Sequence, residues 1–146
     1  MKAVKLAVDV DRLRGLIERF RDATAARDRL YTRMDAACRR ADVLLDEAAS
    51  YAYTRKWEAR SGTLGGRRDK AERALGRAVV LASGAIPPRF GGFDGADEYE
   101  VPPVVLRVGG TLVVLEWFEF MTGGAFPSAE ARMRIKLVDA AEVRTL

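Results

Sequence analysis

The densest grouping of residues able to do chemistry is cationic. Between Arg55 and Arg77 the chain carries eight basic residues, Arg55, Lys56, Arg60, Arg67, Arg68, Lys70, Arg73 and Arg77, against three acidic ones. Guanidinium groups present a planar fork of donors that matches carboxylate and phosphate, so this stretch is the place where an anion or a nucleic-acid backbone would be held. Within it, Gly62-Thr63-Leu64-Gly65-Gly66 runs into Arg67-Arg68-Asp69-Lys70. If a helix begins there, its free N–H groups and the neighbouring cations form an anion site. The loop lacks the Gly-Lys-Ser/Thr ending of a phosphate-binding P-loop, and a plain turn with a cap is the favoured reading.

Just before it, Tyr51, Tyr53 and Trp57 interleave with Arg55, Lys56 and Arg60, as aromatic and basic residues do on single-strand-binding surfaces. At about 100° per residue Tyr53 and Trp57 share a helix face while Tyr51 falls nearly opposite Tyr53. One surface therefore does not hold all three rings. They are expected instead to lie at a helix end clamped by the rest of the fold.

The acidic candidates are weaker. Asp94, Asp97, Glu98 and Glu100 supply oxygen ligands without the alternating spacing of a calcium loop, and read as a solvated acidic segment, facing the basic hairpin of a neighbouring copy if it contacts anything. Glu116 and Glu119 are the nearest approach to paired carboxylates, but strand alternation sends them to opposite faces. The chain has no histidine, the commonest general base and metal ligand. Its single cysteine, Cys38, lies on an apolar stripe and forms no internal disulfide, which points to a reducing compartment. Neither a catalytic set, a cofactor nor a metal site is expected.

The elements that must position these residues follow from periodicity. Asp9 or Asp11 caps a helix whose apolar positions, Leu13, Leu16, Ile17, Phe20, Leu30, Met34 and Leu44, form a wide stripe. No glycine or proline lies between Leu16 and Ser61, so the pattern allows one helix of about 45–50 residues, spanning about 70 Å, with a break at Ala23–Ala26 as the alternative. Gly62, Gly65 and Gly66 are expected to end it, and a shorter second helix over Arg67–Ala82, closed by Gly84, to fold back on it. A helix longer than its own chain can cover would bury its stripe by self-association.

Beyond Ser83 the texture changes. A Pro- and Gly-rich stretch holding Phe90, Phe93 and Tyr99 leads to Val104–Val108, then Gly109-Gly110, then Thr111–Phe120, a hairpin signal. Ala131–Val138 alternates, with Met133, Ile135 and Leu137 on one face and Arg132, Arg134 and Lys136 on the other. A fourth short strand is expected from Lys2–Val8 or Glu142–Leu146.

The fold class expected is α+β: a long N-terminal helix and a shorter second helix forming an αα-hairpin (residues 1–83), then a small antiparallel sheet of three to four strands (84–146) packed on it as one domain. The halves carry opposite charge, +7 up to Ser83 and −3 beyond it, within a net +4. No apolar run approaches the roughly 20 residues of a membrane span, and Asp9 and Asp11 interrupt any leader-like start. The expectation is a non-enzymatic interaction or assembly protein, cytoplasmic and compatible with a bacterial or phage origin. It would be homo-oligomeric through the long helix and would bind a protein partner. The alternative is a nucleic-acid-binding accessory protein using the basic region.

Overall fold

A computed structural model describes residues 9–43, 47–88, 102–125 and 129–140. The order of elements is α1 (Val10–Val43), α2 (Glu47–Ser83), β1 (Val104–Val108), β2 (Thr111–Met121) and β3 (Ala129–Asp139). Two helices followed by a three-stranded antiparallel sheet make an α+β fold with a helical hairpin, as the periodicity implied. The expected fourth strand and the stretch holding Phe90, Phe93 and Tyr99 lie outside the described residues.

The ends of the helices follow local chemistry. Asp9 Oδ1 accepts a hydrogen bond from the Arg12 amide at 3.1 Å, satisfying one of the free donors of the first turn of α1. At the other end, Gly84 takes a φ of 68° while its amide donates to the Val80 carbonyl at 3.0 Å, a conformation that a residue with a Cβ resists.

The bend between the helices is not where the glycines placed it. α1 ends at Val43, and α2 runs unbroken from Glu47 through Gly62, Gly65 and Gly66 to Ser83. The arms are therefore of similar length, 34 and 37 residues, in place of the long-and-short pair expected. The glycines inside α2 take none of the positive φ values that a turn would need. Glycine lowers helix propensity by about 1 kcal/mol relative to alanine, which tertiary packing of the flanking turns overrides. The alternative break at Ala23–Ala26 is also absent, since α1 is continuous there.

The chain divides into two compact units, Leu16–Ala71 and a second made of Met1–Gly15 with Glu72–Leu146. The division falls inside both helices, so the last turns of α2 group with the sheet.

In the sheet unit the strand order is β1-β2-β3, with Val108 paired to Thr111 across Gly109-Gly110 and Leu115 paired to Ile135. Gly109 takes a φ of 60°, the positive angle that a tight two-residue hairpin requires at its first central position. Val113, Leu115 and Ile135 are buried on one face, as are Leu75 and Val79 of α2. Gly76 leaves room for them: a Cβ there would stand 2.9 Å from Met133 Sδ. Glu72 Oε2 accepts a hydrogen bond from the Ile135 amide at 3.2 Å, covering a donor that the ladder with β2 leaves unused. The opposite face carries Arg132, Arg134 and Lys136 in solvent, as alternation required.

In the hairpin unit, α1 and α2 run antiparallel. Arg68, one of the predicted anion contacts, lays its guanidinium over the Phe20 ring at 5.2 Å and is only 18% exposed, so it belongs to the packing between the helices. Tyr51 is 65% exposed, with Arg55 over its ring at 5.6 Å. The clamped aromatic cluster expected at Tyr51–Trp57 is not formed at Tyr51, and the sheet unit takes the Glu72–Ser83 end of α2 instead.

Candidate functional site: an arginine-rimmed groove in the hairpin

Along one side of the hairpin unit runs an open groove. Its larger part encloses about 520 Å³, between Ala26, Arg29, Leu30 and Arg33 of α1 and Ala59, Arg60, Thr63 and Leu64 of α2. A second hollow of about 300 Å³ shares Ala26 and Leu64 and extends to Arg19, Asp22, Ala23 and Arg67. The α1 contributors recur at intervals of three and four, the spacing that keeps residues on one helix face. The same periodicity on α2 sets Arg60, Leu64 and Arg67 opposite them.

The floor is apolar and made of small side chains, Ala23, Ala26 and Ala59, with Leu30 and Leu64. The rim is cationic. Arg19, Arg29, Arg33, Arg60 and Arg67 are all exposed, and none makes an ion pair or hydrogen bond among the described residues. Neighbouring arginines differ: Arg27 reaches Asp28 at 3.4 Å and Arg68 reaches Asp69 at 3.4 Å. Asp22 is the one carboxylate in the lining. Like charges gathered on one concave surface repel one another and favour binding of an anion.

Of the eight cations singled out between Arg55 and Arg77, the groove gathers Arg60 and Arg67. Arg55, Lys56, Lys70, Arg73 and Arg77 are exposed elsewhere on α2. Neither the favoured turn with a cap nor the alternative anion site at a helix N-terminus forms at Gly62–Lys70. That segment is helix interior, its backbone donors are spent in the helix, and no helix N-terminus exists there. The arginines of α1 were not among the predicted contacts. Their signal was present as Arg19, Asp22, Ala26, Arg29 and Arg33 at i, i+3, i+7, i+10 and i+14, beside the apolar stripe.

The residues of the predicted oligomer interface differ in exposure. Leu13, Ile17, Phe20 and Leu30 are 3–6% exposed and thus already buried within the chain, while Leu16 and Met34 are half-buried and Leu44 lies outside the described residues. Because α2 matches α1 in length, part of the stripe has a partner within the chain.

The remaining candidates form no site among the described residues. Glu116 pairs across the strands with Arg134 and Glu119 with Ala131, on opposite faces. Cys38 is a half-buried free thiol. No group of three or more potential metal ligands converges among the described residues, and the acidic segment Asp94–Glu100 lies outside them. Among the described residues no helix is long and apolar enough to cross a membrane. No protein-family model, curated protein or solved structure matches the chain.

Proposed function

We propose that this protein is a non-enzymatic binding protein that docks an anionic partner along its helical hairpin. The observation that carries the reading is the set of five arginines, unpaired among the described residues, lining an apolar-floored groove. The inventory suits binding and not proton transfer: guanidinium stays charged at any working pH and has no acceptor atom, so these groups hold an anion without acting as bases. The reading keeps the protein partner of the expected function and seats it on the charged side of the hairpin.

The test compares equal changes of charge at two places. Elution from a heparin matrix is measured for the unaltered chain, for Arg29→Glu/Arg33→Glu/Arg60→Glu, and for Arg12→Glu/Arg39→Glu/Arg40→Glu, with circular dichroism checking the fold. The groove variant is expected to elute at clearly lower salt than the off-groove variant of the same net charge. Equal elution of the two variants would leave the groove with no special role.

A further inference from the structure

Resting on the anionic-partner reading, we infer that the occupant of the groove is an acidic amphipathic helix of a partner protein, which lies along the hairpin as a third helix. From Arg19 to Arg33 the groove follows α1 for about 21 Å at 1.5 Å per residue, which matches about four turns of a guest helix. Helices pack at about 8–10 Å between axes, and they come that close where contact residues are small. Ala23, Ala26 and Ala59 give the floor that low profile.

Leu64, which is half-buried, offers an apolar contact to a guest whose own apolar residues recur at i, i+3, i+4 and i+7, with Leu30, only 6% exposed, beneath it. The walls then specify what flanks that stripe. Arg19, Arg29 and Arg33 stand on one wall and Arg60 and Arg67 on the other, so carboxylates on both sides of the guest's apolar seam find guanidinium partners.

A nucleic acid fits the same charges less well. Phosphates would engage the arginines, but among the described residues no aromatic ring lines the groove to stack a base, and the alanine and leucine floor would face a polar backbone. The apolar floor therefore decides between two polyanions that the rim alone would accept.

The probe is a fluorescein-labelled, end-blocked peptide of about 18 residues, with leucine at positions a and d, glutamate at e and g, and alanine and glutamine elsewhere. Fluorescence anisotropy follows its binding to the full chain. Controls are the same composition scrambled to destroy the periodicity, the helix with lysine for glutamate, a single-stranded RNA and a DNA duplex. The acidic helix is expected to bind at least about tenfold more tightly than the scrambled peptide, and the lysine version not at all. Arg29→Glu/Arg33→Glu is expected to weaken it by about tenfold or more, and Ala26→Trp, which fills the floor without changing charge, by a similar factor.

Equal binding of the ordered and scrambled acidic peptides, both lost on charge reversal, overturns the third-helix inference while supporting an anionic partner. RNA or duplex that binds through Arg29 and Arg33 when the peptide does not has the same meaning. If no polyanion responds to Arg29→Glu/Arg33→Glu, the inference and the reading beneath it both fall.

Discussion

The two compact units are built to different standards of packing. In the sheet unit Leu75, Val79, Val113 and Leu115 are wholly removed from solvent, and the strands bring regular cross-strand pairing to the same place. In the hairpin unit the best-buried side chains, Ile17, Phe20 and Leu30, stay 3–6% exposed, and Thr24 Oγ1, Arg27 Nε and Trp57 Nε1 are buried without a hydrogen-bond partner. Such atoms each cost free energy that the surrounding contacts must offset. The contrast teaches that the tightest packing resides in the sheet unit, while the hairpin, where the proposed binding groove lies, is packed less completely.

The largest expected effect tests that division directly. Leu115→Ala should destabilise the chain by about 3–5 kcal/mol, because it leaves a sealed cavity between Gly76, Met133 and the strand face. Leu30→Ala should cost about 2 kcal/mol, since Leu30 borders the open groove and solvent can fill the space it leaves. Urea unfolding of both variants measures the difference. An equal or larger loss at Leu30 would mean that the hairpin is packed as tightly as the sheet unit, and the comparison would fail.

A middle-sized effect separates polar contacts of the two units. Glu72→Ala removes the acceptor of the part-buried Ile135 amide and should cost about 1–3 kcal/mol. In amide exchange, Ile135 should lose protection ahead of its neighbours on β3. Glu18→Ala in the hairpin removes an ion pair with Arg21 whose side chains are 44% and 65% exposed, and solvent screening should hold its cost below about 0.5 kcal/mol. Comparable losses would show that the hairpin's surface pairs contribute more than their exposure implies.

How much of this was legible in the sequence depends on whether the signal was local. Asp9 as a cap, Gly84 as a stop, Gly109-Gly110 as a hairpin turn and the Met133, Ile135, Leu137 alternation all act over a few residues, and all four describe the structure. The bend was not legible. Gly62, Gly65 and Gly66 carry the strongest local break signal and are overruled by the pairing of α2 with α1. The site was half legible for a related reason. Counting charge along one stretch of chain finds Arg60 and Arg67, but the groove is assembled across two antiparallel helices, and Arg19, Arg29 and Arg33 join it only once the register between them is set. With the glycines inside α2, that register differs from the one expected, and with it which cations meet.

The last comparison sets two glycines of one helix against each other, one in each unit. A Cβ added at Gly66 meets nothing within 4 Å, so Gly66→Ala should gain the ordinary helix-propensity difference of about 0.5–1 kcal/mol, partly by restricting the unfolded chain. The same change at Gly76 places a methyl 2.9 Å from Met133 Sδ, 3.1 Å from its Cε and 3.6 Å from Leu115 Cδ1. Met133 can swing aside, but it does so against a fully buried neighbour, and strain of about 1 kcal/mol should cancel the propensity gain. Thermal unfolding should therefore rank Gly66→Ala above the unaltered chain and Gly76→Ala level with it or below. A stabilising Gly76→Ala would mean that the interface of α2 with the sheet tolerates overpacking. A destabilising Gly66→Ala would be more informative still, because with open space around the added methyl the loss would have to come from a surface packing against α2, and the open side of the hairpin would then carry an interface of its own.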